Sequence, residues 1–192
     1  MRHSINMLKR TAALLALAVA ACLLAGLAES RAAQVPATKE YQIKAAFLFN
    51  FTKFIEWPAG CFADSNSPIV IGVIGKDPFG SELQDAVQGR KINGRSIVLK
   101  TIESIEQARA VHLLFIPSTE ESQAALVLKG LGTSSVLTVG ESEQFVSNDG
   151  IIHFVLEGDK VRFEINANSA DRARLKISAQ LQKLARPAPR KP

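Results

Sequence analysis

The chain has 192 residues, of which 47% are hydrophobic and 21% are charged, and this length is sufficient for one domain with its own hydrophobic core. Its formal net charge of +5 falls to +2 when the first 32 residues are set aside, because four of the 23 Lys and Arg residues and one of the 18 Asp and Glu residues lie there. A charge of +2 gives weak support to nucleic-acid binding, and the single cysteine that is left, Cys61, excludes an internal disulfide in the remaining chain.

The first 32 residues have the pattern of a secretory signal peptide. The basic start MRHSINMLKR precedes the apolar run TAALLALAVAACLLAGLA, and Ser30 and Ala32 fit the small-residue rule for cleavage before Ala33. Two alternatives stay open: a lipoprotein-type cleavage that leaves a lipid on Cys22, and retention of the apolar run as a membrane anchor. All three outcomes place the remaining chain outside the cytoplasm, which further disfavours a nucleic acid as its partner.

The next segment predicts a helix that is rich in aromatic residues. Thr38 is placed to cap a helix over residues 39–57, and Pro58 ends it. Four of the ten Phe residues fall between positions 47 and 54, and they point to more than one side of such a helix. The helix is therefore either a core element alone or a core element that also offers an aromatic patch to a partner or to a second copy. In the second case, the residues expected at the contact are Phe49, Phe51 and Trp57.

Strands alternate with helices through the middle of the chain. Apolar runs predict four strands, at residues 68–75, from the Asn93-Gly94 turn to Ile102, at 110–118 and at 134–140. The helix-start signals between them are Asp77 followed by Pro78, a capping box at 104–107, and a second capping box at 118–121 that opens a helix to about Leu131. This alternation predicts an α/β fold with a largely parallel sheet.

The pattern then changes to strict alternation of apolar and polar residues over positions 151–166. This predicts an antiparallel hairpin with a two-residue turn at Gly158-Asp159. The facing pairs are Phe154–Phe163 and Ile152–Ile165 on the core face, and His153–Glu164, Val155–Arg162 and Glu157–Lys160 on the outer face. One face of the hairpin is therefore expected in the core and the other at the surface.

A last helix is predicted over about residues 169–185, with Arg172 and Lys176 on its polar side. Together these elements predict an α/β fold: a single Rossmann-like domain over residues 39–186, with a mixed, mostly parallel sheet, a C-terminal antiparallel hairpin and flanking helices. The last residues, 187–192, are predicted to form a disordered tail.

The sequence contains no credible set of catalytic or metal-binding residues. It has no G-x-S-x-G motif, and two histidines with Cys61 do not provide a zinc site. His112 stands in an apolar run and is interpreted as a hydrogen-bonded core or strand-end residue, and His153 as a surface partner of Glu164. We therefore expect no enzyme activity, no catalytic residue, no metal and no cofactor.

The loop GVIGKDPFG is a candidate ligand site. Gly75, Lys76 and Asp77 would lie at the carboxyl end of the first strand, where open α/β sheets bind ligands, and a small anion or ligand could occupy the following helix N-terminus. The loop has neither the G-x-G-x-x-G nor the Walker A pattern. A tight strand-to-helix turn without a ligand is therefore the other interpretation.

Several segments resemble a known family. They are YQIKAAFLFNFTKFIEWP, IVIGVIGKDPFG, INGR, VHLLFIP and VRFEINANSADRARLKISAQLQKLA. In this order they resemble the YfiR family of exported proteins, over about residues 40–185. The resemblance implies a periplasmic regulator that binds the periplasmic domain of an inner-membrane diguanylate cyclase and holds it inactive. It also implies that an outer-membrane lipoprotein can sequester the repressor.

The resemblance leads to one expectation and leaves one alternative. We expect a periplasmic protein that inhibits a membrane diguanylate cyclase and so lowers cyclic-di-GMP signalling. A homodimer is a further expectation. The residues expected at its contacts are Phe49, Phe51, Trp57, Arg172 and Lys176. The alternative is a periplasmic small-molecule binding module that acts on another membrane signalling protein. Its expected ligand-binding residues are Gly75, Lys76 and Asp77.

The sequence departs from the family pattern at two positions. Several relatives carry cysteines at the positions of Gly72 and Val111, and they can form disulfides that link their stability to the redox state. This chain has neither cysteine, so that route of redox control is excluded for it.

Overall fold

The computed structural model describes residues 37–187. The predicted signal peptide over residues 1–32, with Cys22, lies outside the described residues, and so does the predicted tail apart from Pro187. Among the helices of the described part, none is both long and apolar enough to cross a lipid bilayer.

A seven-stranded sheet forms the centre of one α/β domain. The strands within residues 37–187 are β1 (Ile55–Glu56), β2 (Ile69–Ile74), β3 (Lys91–Ile92), β4 (Arg95–Ile102), β5 (Leu113–Ile116), β6 (Leu137–Gly140), β7 (Ile152–Glu157), β8 (Lys160–Ile165) and β9 (Lys176–Ile177). The sheet has the order β3-β4-β2-β5-β6-β7-β8, and β1 pairs with β9 in a separate two-stranded ribbon. The pairings from β4 to β7 are parallel, and the outer pairings β3–β4 and β7–β8 are antiparallel. The predicted mixed, mostly parallel sheet with a C-terminal hairpin is confirmed.

Helices cover both faces of this sheet. They are α1 (Ala37–Phe54), α2 (Glu82–Val87), α3 (Ile105–Arg109), α4 (Glu121–Leu131), α5 (Ala167–Arg172) and α6 (Ala179–Leu184). Successive strand side chains point to opposite faces. Val73 therefore packs in the core under α1, α2, α5 and α6, whereas Ile74 packs in the core under α3 and α4. The sheet separates two apolar cores, and α1 is the longest helix on the first of them.

The aromatic residues of α1 belong to this first core. The Phe51 side chain is 0% exposed, and its ring centroid lies 5.7 Å from that of Phe154 and 5.1 Å from that of Phe163. Phe49 is 4% exposed and packs in the same core. The expected placement of Phe49 and Phe51 at an exposed contact is therefore corrected. The helix lies on the sheet between α2 and α6, so its exposed side is the stripe with Lys39, Gln42, Ala46 and Lys53.

The hairpin register is confirmed for every predicted pair. The outer-face pair of His153 and Glu164 is nevertheless largely buried and not at the surface. The Phe145 ring stacks over the His153 ring at 6.5 Å between centroids, and Arg186 runs alongside β8, where its backbone N–H donates to the Phe163 carbonyl at 2.8 Å. Segments from outside the hairpin thus cover a face that the alternation pattern assigns to solvent.

Two local signals act as predicted. Asn93 and Gly94 form the turn between β3 and β4 with φ values of 51° and 82°, as a tight hairpin of this type requires. Ser104 caps α3, because its hydroxyl oxygen accepts a hydrogen bond from the Gln107 backbone N–H at 3.3 Å.

Two other helix-start predictions are wrong. The Asp77 carboxylate accepts a hydrogen bond from the Phe79 backbone N–H at 2.7 Å, so it closes a local turn, and α2 begins only at Glu82. The capping box at Ser118 does not form, since a 3-10 turn over Ser118–Glu120 precedes α4 and no side chain caps it. Side-chain caps compete with other local hydrogen bonds, and in these two turns the other hydrogen bonds form.

The prediction of one continuous last helix is also wrong, and so is the predicted end of α1. The chain leaves α5 through Arg174, whose φ of +57° is left-handed, and then forms β9 before α6. α1 ends at Phe54, short of the predicted Trp57, because β1 pairs antiparallel with β9. No glycine or proline marks the break, so the apolar spacing alone predicts one continuous helix.

We expect Arg174→Gly to raise the free energy of unfolding by up to about 1 kcal/mol, because glycine adopts a positive φ without the steric penalty of a side chain. Arg172→Gly is the control, since a glycine near the end of α5 should cost about 1 kcal/mol. Urea unfolding followed by circular dichroism measures both values. Equal losses in the two variants would contradict a strained backbone at Arg174.

Candidate functional site

A buried polar network joins α1 to the carboxyl ends of β5 and β6. Glu141 directly follows β6, and one of its carboxylate oxygens accepts hydrogen bonds from the Tyr41 hydroxyl at 2.9 Å, the Ser118 backbone N–H at 2.9 Å and the Ser118 hydroxyl at 3.2 Å. Its other oxygen pairs with the Lys44 ammonium, which also contacts the Glu40 carboxylate. One carboxylate therefore holds α1 against two neighbouring strands.

Burial makes this network sensitive to the loss of a member. The side chains of Lys44 and Glu141 are only 4% and 5% exposed. Burial, together with the charge of Glu141, raises the pKa of the Tyr41 hydroxyl well above its usual value, so the hydroxyl stays protonated and donates. The sequence pattern does not single out these residues. One local signal is the lysine four positions after Glu40, a spacing that favours an ion pair on a helix.

A cavity of about 360 Å³ opens beside this network. Its charged and titratable lining residues are Glu40, Tyr41, Lys44, Glu141, Glu143 and His153. Three carboxylates face one ammonium group, so the cavity carries negative charge that disfavours phosphates and nucleotides. Within residues 37–187, no group of three or more His, Cys, Asp and Glu side chains is arranged to hold a metal ion.

The loop after β2 contains the predicted ligand-binding residues. The strand order reverses between β2 and β5, which is where open α/β sheets bind ligands, and Gly75, Lys76 and Asp77 lie at this edge. Gly75 has a φ of +64°, and a Cβ atom added there would overlap the Glu120 carboxylate. The Glu120 carboxylate thus packs against Gly75, while Lys76 and Asp77 are exposed.

At the opposite, amino ends of the strands, His112 is held by backbone groups. Its Nδ1 accepts a hydrogen bond from the Val70 N–H at 3.0 Å, so the proton is on Nε2, which donates to the Cys61 carbonyl at 3.1 Å. The ring stacks on Phe62 at 4.4 Å between centroids, and the Trp57 indole N–H donates to the His112 carbonyl at 3.2 Å. The interpretation of His112 as a hydrogen-bonded strand-end residue is confirmed.

Both histidines are less basic than usual. Burial lowers the pKa of His112, and the nearby Arg95 charge lowers it further against the opposing effect of the Cys61 carbonyl. Burial also lowers the pKa of His153, although the Glu164 carboxylate acts in the other direction. The neutral form of each ring is therefore the one that the fold favours.

The residues predicted to contact a partner do not form one cluster in the structure. Trp57 is half-buried directly after β1, and Lys176 on β9 faces Glu56 at 4.0 Å with both of these charged side chains exposed. The β1–β9 pairing brings the two segments together, but the Trp57 indole lies at His112 and Phe62, whereas Lys176 faces Glu56. Arg172 lies apart from this ribbon on α5, where it pairs with Asp149 at 2.7 Å.

Phe49 and Phe51 do not contribute a ring to the surface. The exposed Lys53 ammonium lies 4.2 Å from the Phe49 ring centroid, and the Arg90 guanidinium lies 4.8 Å from it. Two cationic side chains thus cover the outer side of Phe49. Phe51 lies deeper, among aromatic rings of the hairpin.

Comparison with known proteins identifies a family. A family model described as YfiR/HmsC-like matches residues 41–186, which is nearly the whole described domain. A comparison with curated proteins gives no significant match.

Two solved structures are similar to this chain. One is a conserved domain protein from Vibrio cholerae, with 10% identity over 76% of this chain and 58% of that chain and a TM-score of 0.50. The other is the ABC domain in complex with L-Trp from Streptococcus pneumonia, with 12% identity over 60% and 53% and a TM-score of 0.45. The match spans little more than half the length of both proteins. At these identities the first similarity supports the α/β fold alone, and nothing is inferred from the second.

We expect Glu141→Gln to lower the free energy of unfolding by about 1.5–3 kcal/mol, because the buried Lys44 ammonium then keeps only Glu40 as a charged partner. The double variant Lys44→Met, Glu141→Gln should cost less than the sum of the two single variants, since the ammonium that Glu141→Gln leaves with one partner is then absent. Glu56→Gln, which removes the exposed partner of Lys176, should change stability little. Urea unfolding measures all four variants, and strictly additive costs would show that the buried pair is not coupled.

We expect the free energy of unfolding to fall as the pH drops below about 6.5, the ordinary histidine pKa. The folded state lowers the pKa of His112, so its stabilising contribution is complete above the unfolded pKa and is lost as the pH falls through the folded pKa. His112→Gln should flatten this dependence, and His153→Gln should remove the separate part that is due to His153. Urea titrations at a series of pH values measure it. The same pH dependence in His112→Gln as in the wild type would contradict this assignment.

Proposed function

Because the chain belongs to the YfiR/HmsC-like family, we propose that it is a periplasmic regulatory protein that binds and inhibits the periplasmic domain of an inner-membrane diguanylate cyclase. The family is periplasmic and regulatory, not catalytic, and it acts in cyclic-di-GMP signalling. The observation that carries the proposal is the match of the family model over residues 41–186.

The buried polar groups are consistent with a regulatory protein. Strongly shifted or buried titratable groups often mark active sites. Here the Glu141 carboxylate is occupied by Tyr41, Ser118 and Lys44, and the His112 ring by two backbone groups. These side chains hold elements of the fold together, which supports a rigid binding protein.

Inhibition of this kind is a shift in a conformational equilibrium. A protein that binds the inactive state of the cyclase more tightly than the active state increases the population of the inactive state by the ratio of the two affinities. A shift from 1% to 99% inactive requires a ratio of about 10⁴. No catalytic group of the repressor takes part in such a mechanism.

We place the contact with the cyclase on the exposed residues among those expected from the sequence. Lys176 on the β1–β9 ribbon forms the centre of this surface, the half-buried Trp57 follows directly after β1, and Arg172 adds an exposed cation on α5. Phe49 and Phe51 support this surface from the core and do not touch the partner. Sequestration by an outer-membrane lipoprotein and a homodimeric repressor are further parts of the proposal, and they rest on the family resemblance.

The loop after β2 gives no support to the alternative function as a small-molecule binding module. The Glu120 carboxylate packs against Gly75, and the charged groups that line the cavity beside Glu141 are three carboxylates and one ammonium. An anionic ligand such as a nucleotide would meet like charges there.

Deletion of the gene in its native host should raise intracellular cyclic-di-GMP, because a cyclase loses its inhibitor. Mass spectrometry of cell extracts measures the nucleotide, and expression of the wild-type gene from a plasmid should restore the original level. An unchanged level while the host's membrane cyclases are expressed would contradict the repressor function.

The contact surface is tested separately in the same strain. Lys176→Glu reverses an exposed charge on the ribbon and should fail to restore the low cyclic-di-GMP level, whereas Lys160→Glu reverses an exposed charge at the β7–β8 turn and should restore it fully. Equal restoration by both variants would move the contact away from the ribbon and leave the repressor function intact.

A further inference from the structure

An apolar groove lies between α3 and α4 at the carboxyl ends of β2 and β4. It has a volume of about 500 Å³, within the range of pockets that hold ligands or side-chain anchors. Its apolar side chains are Ile74, Ile102, Ile105, Leu126 and Val127. The groove lies on the face of the sheet opposite to α1, and it shares no lining residue with the cavity beside Glu141.

Leu126 is the most exposed large apolar side chain of the described residues, at 74%. α4 is held on the sheet by Ala124, Leu128 and Leu131, which are buried, so Leu126 adds nothing to the attachment of its own helix. A single exposed leucine is common on protein surfaces. This one stands at the edge of an apolar groove and extends the apolar surface that Val127 begins.

The groove is formed without a partner, because α3 and α4 are fixed to one another at one end. A Cβ atom added at Gly130 would lie 2.8 Å from the Ile105 side chain, so the two helices are in direct contact there. The Arg109 guanidinium donates two hydrogen bonds to the Gly130 carbonyl, at 3.2 Å and 2.6 Å. A preformed groove loses little conformational entropy when an occupant binds.

Carboxylates surround the end of the groove at the carboxyl edge of the sheet. Glu103 lines the groove, Glu106 follows on α3, and Glu120 and Glu121 stand at the start of α4. The lining itself contains no Lys or Arg, and Lys76 is exposed next to Gly75. The occupant that fits an apolar groove with this charge carries apolar side chains next to basic ones.

We propose that this groove is a docking site for a helical segment of a partner protein that has an apolar face with Lys or Arg residues beside it. An amphipathic helix in a preformed groove is a common mode of peptide recognition, in which the apolar residues anchor and the charges select. This site is distinct from the β1–β9 ribbon, and it does not depend on which signalling protein the chain regulates.

Two labelled model peptides of about 18 residues, or about five helical turns, test the proposal with the purified protein. Both carry leucine on one face, and the other positions are lysine in one peptide and glutamate in the other. Fluorescence anisotropy should show that the lysine peptide binds, that added salt weakens it, and that the glutamate peptide binds at least about tenfold more weakly. Leu126→Gln should weaken binding of the lysine peptide about tenfold, and Glu103→Gln about threefold.

Leu184→Gln is the matched control, because Leu184 is 63% exposed on α6, outside the groove, and its loss should leave binding unchanged. Equal binding of the two peptides, or full binding by Leu126→Gln, overturns the proposal. Sedimentation of the protein alone provides the second readout. Self-association that Leu126→Gln abolishes would also overturn the proposal, since the occupant would then be a second copy of this chain.

Discussion

The docking of α1 on the sheet through Phe51 is the interaction on which the rest of the structure depends. Its ring lies against Phe154 and Phe163, and the loss of a fully buried phenylalanine side chain costs a protein about 3–5 kcal/mol. Because α1 runs from the carboxyl ends of the strands to their amino ends, this docking fixes both ends of the helix. It places Lys44 beside Glu141 at one end and delivers β1 to β9 at the other.

The buried polar groups of the domain stabilise the docking of α1 on the sheet. Glu141 pairs with Lys44 from α1, and Tyr41 from the same helix donates to it, so the sheet edge and the helix share one network. His112 connects the loop at Cys61 to β2 through its two ring nitrogens. In other folds, buried polar groups of this kind often form active sites. Here each group has a structural partner, in agreement with a family that regulates and does not catalyse.

The sequence alone identifies the candidate binding surfaces only in part. Periodicity identifies Trp57 and Lys176 as polar-side or helix-end residues, but it places them on two separate helices. The β1–β9 ribbon brings these two segments together, and its two strands pair across most of the domain sequence and carry no strand signal of their own. Leu126 gives no signal either, since an exposed leucine at helical spacing has the same pattern as a buried one.

The sequence by itself determined the α/β class, the succession of the main strands along the chain and the register of the β7–β8 hairpin. These depend on period-two alternation and on turn residues such as Asn93, Gly94 and Gly158, which act over a few neighbouring positions. Tertiary structure alone decided that the last helix breaks at Arg174, that Glu120 packs against Gly75 and that Phe49 is buried. The physical reason is the same in each case: the stabilising contact joins residues far apart in the chain, and local propensity carries no information about it.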